Sequence, residues 1–260
     1  MAPTAPRSSD PRATASDADH RLTVELAEEA GQMLLALREE LSGSAPSVLK
    51  REGDRRSHEL LMARLAAGAP EDGVLSEEGR DSTERLSTLR TWIVDPLDGT
   101  REYGEVPRSD WAVHVALVSG GRPIAGAVAL PAQGVTLSTA DPSPAPGSVP
   151  EVPRVIVSRS RPPRIALAVA ESLGAELVEL GSAGAKVGAV VLGRAEVYAH
   201  AGGQYEWDSC APVAVASAAG LHTSRIDGSP LVYNAPDPWL PDLLVCHPGL
   251  ADRVLAVTRR

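Results

Sequence analysis

Residues 141–153, DPSPAPGSVPEVP, hold five prolines and no hydrophobic period, and the chain reads differently on its two sides. Proline fixes φ and removes a backbone donor, so such a run ends the element before it and starts none. It is the best candidate boundary between an N-terminal half, residues 20–150, and a C-terminal half, residues 151–260. Upstream, Leu22, Leu26, Ala30, Met33, Leu37 and Leu41 step by three or four, one face of an amphipathic helix that stops at Gly43. A second helix is expected from about Ser57 to Ala67, and apolar runs at Gly73–Ser76 and Thr91–Asp95 read as strands. From Asp110, Trp111, Val113, Val115 and Leu117 alternate with Ala112, His114 and Ala116. The turn Ser119–Pro123 then returns the chain as Ile124–Leu130, an antiparallel pattern. Downstream of the prolines, strand-like and helix-like runs alternate over residues 154–158, 163–173, 176–180, 183–192, 196–200 and 208–219. The expected class is α/β, with a mixed α+β first half and an α/β second half.

Composition narrows the function. The chain has no Phe, so its core must come from Val, Leu, Ala and Ile, which suits buried strands and closely packed helices. Twenty-five basic residues against 34 acidic ones give a net charge of −9, and Lys50 and Lys186 are the only lysines. That balance excludes a nucleic-acid binder that works through a basic surface. It leaves open a small anionic substrate held through metal ions. No run of 18 apolar residues exists to span a membrane. Residues 1–19 are rich in Pro, Ser, Ala and Asp and lack the apolar segment of a secretory signal, so a disordered tail and a cytoplasmic location are expected. Cys210 and Cys246 form neither a ligand cluster nor a disulfide framework and read as buried reduced thiols.

The chemistry concentrates in Trp92-Ile-Val-Asp-Pro-Leu-Asp-Gly-Thr-Arg101. An apolar strand delivers Asp95 at its end, Pro96 keeps Asp95 extended, and Asp98 returns toward it. Gly99 permits positive φ and close approach of a ligand. Two convergent carboxylates with the Leu97 carbonyl between them suit a hard divalent cation such as Mg²⁺. The N–H groups of Gly99 and Thr100 would face a phosphate if they open a helix. Asp-x-x-Asp alone describes many solvated turns. Here further acids stand where such a site needs them: Glu77 at another strand end, and Asp208 at the opening of a helix in the second half.

These residues resemble the inositol monophosphatase superfamily of Mg²⁺-dependent, lithium-sensitive phosphatases, and within it the CysQ branch, which acts on 3′-phosphoadenosine 5′-phosphate. The resemblance covers about residues 20–257. It is carried by Leu75-Ser-Glu-Glu78, Trp92–Tyr103, Gly181-Ser-Ala-Gly-Ala-Lys186, Glu206-Trp-Asp208, Ala218–His222 and Asp227–Asn234. It implies a layered αβαβα sandwich, a homodimer, and two or three Mg²⁺ per site. By matching positions, Glu77, Asp95, the Leu97 carbonyl, Asp98 and Asp208 would bind metal, while Thr100 and Glu77 would orient and deprotonate the attacking water. Asp54 matches the acid that hydrogen-bonds this threonine, although Glu52–Ser57 departs from the usual Thr-x-x-Asp pattern and a helix N-cap is the competing reading. Tyr103 stands where the family commonly has Phe.

The implied reaction is in-line displacement at a 3′-phosphate to give AMP, in sulfur assimilation. Phosphatases of inositol phosphates or fructose 1,6-bisphosphate are the alternatives within the superfamily. A catalytically silent scaffold would have lost a metal acid or the threonine, and all are present. Substrate contacts are expected from Gly99, Thr100, Arg101, Ser158, Ser182, Lys186 and Asp208, with Lys186 weighed against an exposed lysine at a helix start. The six histidines show no ligand spacing and read as structural, with His200 the best exception. Tyr205 and Trp207 flank Asp208, where packing competes with stacking on a base.

Overall fold

Ser16 opens the first helix with a reciprocal cap. Its hydroxyl accepts from Asp19 N–H, and the Asp19 carboxylate accepts from Ser16 N–H. The computed structural model describes residues 14–259. Residues 17–19, within the stretch expected to be a tail, are the first turn of α1 (Asp17–Glu40); residues 1–13 lie outside the described residues. Helix α2 (Pro46–Gly68) begins well before the expected Ser57. Pro46 occupies a first-turn position, where its fixed φ is already helical and no donor is lost. The buried stripe of α2 is Leu49, Gly53, Ser57, Leu61 and Leu65, a stride of four in which Gly and Ser hide the apolar period. Asp54 therefore lies inside a helix and is not an N-cap.

The meander forms the first sheet: β1 (Gly73–Ser76), β2 (Arg90–Asp98), β3 (Ala112–Ser119), β4 (Arg122–Leu130) and β5 (Val135–Ser138), paired in that order. β1 runs parallel to β2, and the remaining pairs are antiparallel. The proline-rich residues 141–153 lead to the second sheet, built from β6 (Arg154–Ser158), β7 (Glu176–Leu180), β8 (Val197–Tyr205), β9 (His222–Ser224) and β10 (Trp239–Cys246) in the order β7-β6-β8-β10-β9. The remaining helices are α3 (Thr100–Gly104), α4 (Arg164–Leu173), α5 (Ala183–Val191), α6 (Glu206–Ala218) and α7 (Ala251–Thr258).

Period-two alternation assigns each strand residue to a layer. Trp92, Val94, Val113, Val115 and Leu117 pack on Leu26, Leu34 and Leu61 of α1 and α2. Ile93, Ala112, Ala116 and Val118 point the other way, sharing one cluster with Val187 and Val190 of α5, Val213 of α6, and Tyr198 and Leu243 of the second sheet. The far face of that sheet, including Val155, Val197 and Leu244, packs on Val169 of α4 and Val254 of α7. The layers are thus α1/α2, sheet, α5/α6, sheet, α4/α7, the expected αβαβα sandwich. The central helical layer carries α5 and α6, whose first turns bear on the site. Among the described residues no helix is long and apolar enough to cross a membrane, and Cys210 and Cys246 are free and buried.

Candidate metal centre

β2 does not stop at Asp95 as expected. It runs on to Asp98 with a register shift, because Asp95 pairs with His114 and Asp98 with Ala112, leaving Pro96 and Leu97 in a bulge. A bulge tolerates proline and re-aims side chains, which is how one strand presents two carboxylates to one point. The bulge is pinned from both sides. Asp95 Oδ1 accepts from Leu97 N–H at 3.0 Å, and Ser57 of α2 donates to the Pro96 carbonyl at 2.6 Å. Gly99 then adopts φ +81°, a left-handed conformation open to glycine, and α3 follows. The Thr100 hydroxyl lies 3.1 Å from both Asp54 Oδ1 and the Leu97 carbonyl.

Asp98 reaches across to the central layer. Its oxygens accept from Ala183 N–H at 3.1 Å and Gly184 N–H at 2.6 Å, at the N-terminus of α5. Ser182 caps the same helix, its hydroxyl accepting from Ala185 N–H at 2.9 Å. Asp208 sits in the first turn of α6, held by Tyr205 N–H at 2.6 Å. Carboxylate oxygens of Asp95, Asp98 and Asp208 all lie within 4.8 Å of one another. Glu77 follows β1, its N–H on the Val94 carbonyl at 3.4 Å, and its carboxyl meets that of Asp95. The donors are all oxygens on carboxylates and a carbonyl, the set that a hard divalent cation takes and a soft one does not.

His114 was expected to be structural on β3, and it is the residue whose importance to the site the sequence concealed. It is fully buried, with Nδ1 3.0 Å from the Trp207 carbonyl and Nε2 3.1 Å from Asp98 Oδ2. The approach to Asp98 is off the hydrogen-bonding line, so it acts as a charge contact. With an acceptor at each ring nitrogen, the imidazolium is the form that suits both. Burial lowers the affinity of His114 for a proton, but Asp98 outweighs that and raises it. Asp98 correspondingly stays below the usual carboxylate range: burial opposes this, and the His114 charge prevails.

The other acids move up. Burial, then Glu77, holds Asp95 well above its ordinary range. Burial and the charges of Asp208 and Asp98 push Glu77 up to about 7, and burial with Asp98 takes Asp208 to about 6. Asp54 rises to about 6 through burial and Glu78. Between the unfolded carboxylate values and these raised ones, the metal-free fold binds more protons than the unfolded chain. The contribution of these groups to stability therefore falls as pH rises through that window. A cation needs them deprotonated, so its binding has the opposite slope. Added Mg²⁺ should raise Tm little near about pH 5 and clearly more near about pH 7.5. Equal increments at both values, in thermal unfolding with and without chelator, would count against this cluster as the cation site.

Beside the cluster opens a cavity of about 530 Å³ whose walls include Asp98, Asp208, Gly99, Arg101, Ser158 and Lys186. Ser182 and His200 also line it. Arg101 is exposed and pairs with Glu105 at 3.2 Å. Lys186 is not the exposed lysine of the competing reading: it is buried, with Nζ 5.2 Å above the Tyr198 ring. Ser158 lies 3.5 Å from Ser160, and His200 Nε2 lies 3.0 Å from the Gly203 carbonyl. The structure thus brings Asp95, Asp98 and Asp208 together, with Glu77 against Asp95 and with Thr100 linking Asp54 to the Leu97 carbonyl. Of the expected substrate contacts, Gly99, Arg101, Ser158, Ser182, Lys186 and Asp208 line the adjoining cavity and Thr100 does not.

Fold and site together present an all-oxygen acidic cluster where two layered sheets meet a central pair of helix N-termini. The chain belongs to the inositol monophosphatase family, whose model matches residues 17–259. It is 47% identical over 253 residues, 93% of each chain, to the 3′-phosphoadenosine 5′-phosphate phosphatase of Mycobacterium leprae. It is 33% identical over 201 residues, 72% of this chain and 80% of the relative, to the 3′(2′),5′-bisphosphate nucleotidase CysQ of Escherichia coli K12. Among solved structures, CysQ from Bacteroides thetaiotaomicron matches with TM-score 0.72 at 25% identity, over 89% of this chain and 97% of that one. Inositol monophosphatase-II of Staphylococcus aureus matches with TM-score 0.77 at 21% identity, over 92% and 95%, which shows the shared fold. The family is metal-dependent, and this chain carries a cluster of acidic residues.

Proposed function

We propose that this chain is a Mg²⁺-dependent phosphomonoesterase that removes the 3′-phosphate of 3′-phosphoadenosine 5′-phosphate to give AMP, a clearing step in sulfur assimilation. The observation that carries the reading is the near-full-length similarity to the Mycobacterium leprae phosphatase, together with an intact set of acids around the bulge. Asp95, the Leu97 carbonyl, Asp98, Glu77 and Asp208 would hold two or three Mg²⁺. Bound there, the cations would make water nucleophilic at neutral pH and neutralise charge on the phosphoryl oxygens.

The chain's own residues do the rest. Thr100 would donate its hydroxyl hydrogen bond to Asp54 at 3.1 Å, which turns the Thr100 lone pairs outward to accept from the attacking water. Glu77, whose carboxyl meets that of Asp95 beside the cluster, would be deprotonated by a bound cation and so be the group to receive that water's proton. Asp98 is kept from shifting by two backbone donors and His114. Arg101 and Lys186 bring positive charge to the cavity that adjoins the cluster, where the substrate's phosphates and sugar would lie.

The test compares phosphate release from adenosine 3′,5′-bisphosphate, inositol 1-phosphate and fructose 1,6-bisphosphate by the full chain, with Mg²⁺ and with chelator. The nucleotide should give the highest kcat/KM, and chelator should abolish release. A higher kcat/KM for either base-free substrate overturns the nucleotide assignment.

A further inference from the structure

The chain has eight aromatic residues, four Trp and four Tyr. Five of them, Trp92, Trp111, Tyr103, Tyr198 and Tyr233, are buried, and Trp207 is half-buried. The remaining two, Tyr205 at 46% exposure and Trp239 at 50%, both line the cavity beside the acidic cluster. They are also direct register partners across β8 and β10, so their side chains leave the same face of the sheet. Two large rings left open on one wall, in a chain that covers the others, are an exposed apolar surface that needs a ligand-based reason.

Each ring has its own support. Tyr205 stacks on Trp207 with centroids 4.7 Å apart and planes 12° apart, so one face is covered and the ring is held flat. Trp239 rests against Gly203, whose φ of +93° and missing side chain make room for it. A Cβ at Gly203 would fall 2.7 Å from the indole Nε1. The Trp239 N–H is held by Asp237 Oδ1 at 3.1 Å, which fixes where the strand begins. Of the two aromatic residues that flank Asp208, Trp207 backs the Tyr205 ring, and the second open ring is Trp239.

We propose that Trp239, with Tyr205, forms the platform on which the nucleobase of the substrate stacks, and that Trp239 sets the preference for nucleotides over base-free phosphates. The inference rests on the nucleotide reading above and deepens it. Every purine presents a flat π face, and such stacking accounts for a large share of affinity in aromatic-lined nucleotide sites. A sugar phosphate without a base gains little from either ring.

The experiment measures KM and kcat of the wild type, Trp239→Ala and Trp239→Phe with adenosine 3′,5′-bisphosphate. Inositol 1-phosphate serves as the base-free comparator, followed as substrate or as competitive inhibitor. Trp239→Ala should raise KM for the nucleotide about tenfold and change kcat less than about twofold, and Trp239→Phe should recover most of the loss. The KM or Ki of inositol 1-phosphate should shift less than about twofold, and Tm by less than about 2 °C, as for an exposed substitution. An unchanged nucleotide KM, or equal shifts for both ligands, overturns the platform. A changed molar mass with an unchanged nucleotide KM overturns it as well, by assigning the ring to an interface between copies. Wild-type enzyme that releases no phosphate from the nucleotide overturns the proposed substrate instead, so the two failures are distinguishable.

Discussion

Asp95→Asn is expected to lower phosphate release by about 10³-fold or more while making the metal-free protein more stable. The two effects share one cause. Asp95 is 1% exposed and faces the carboxyls of Glu77, Asp98 and Asp208, so in the absence of a cation its charge is opposed by burial and by like charges. Asparagine has the same shape, and its Oδ1 can still accept from Leu97 N–H, so the bulge survives and the repulsion falls. The lost chemistry is larger. Removing a ligand that positions a cation forfeits several kcal/mol of charge stabilisation in the transition state, and each 1.36 kcal/mol is tenfold in rate, hence about 10³-fold. Single-turnover phosphate release and thermal unfolding, each with Mg²⁺ and with chelator, check the pair. The Mg²⁺-induced rise in Tm should shrink in the variant. Turnover within about tenfold of wild type would remove Asp95 from the mechanism.

What could be read in the amino-acid sequence follows from how local each feature is. The grouping of Asp95, Leu97, Asp98 and Thr100 was legible because a strand end, a proline and a glycine compress four groups of the candidate site into six residues. Asp208 was legible because a helix start fixes its direction, although α6 begins two residues earlier than expected. The layers followed from period-two alternation flanked by amphipathic helices. The start of α2 was not legible, since Gly53 and Ser57 occupy buried positions of its stripe and interrupt the apolar pattern. Nor was β10, the strand that carries Trp239: Pro241 lies in it, at the register shift between Leu240 and Asp242. Trp239 and Tyr205 are 34 positions apart, and only the pairing of β8 and β10 makes them neighbours. Tertiary pairing of this kind leaves no periodic trace in one chain.

His114 is the sharpest case of that limit, and His114→Ala carries the second large expectation. On β3 it alternates with apolar residues, which is what any satisfied core histidine looks like. Its partners are 16 residues upstream, at Asp98, and 93 downstream, at the Trp207 carbonyl, so it ties the bulge of the first sheet to the start of α6. Alanine leaves a buried carboxylate and a buried carbonyl without that partner. Breaking a buried charged pair costs about 3–5 kcal/mol, which for a chain of this length is a fall in Tm on the order of 10 °C. Activity should drop about 10–100-fold, as when other groups that orient a metal ligand are removed. The response to metal has the opposite sign to that of Asp95→Asn. Without the imidazolium, Asp98 and its acidic neighbours lose their closest positive side chain, so a divalent cation relieves more repulsion than in the wild type. The Mg²⁺-induced rise in Tm should therefore grow in His114→Ala while it shrinks in Asp95→Asn. His114→Gln, which restores one neutral donor but no charge, should recover part of the Tm and keep the enlarged metal response. If the Mg²⁺ increment in His114→Ala instead shrinks, His114 acts by holding Asp98 in place and not by balancing its charge.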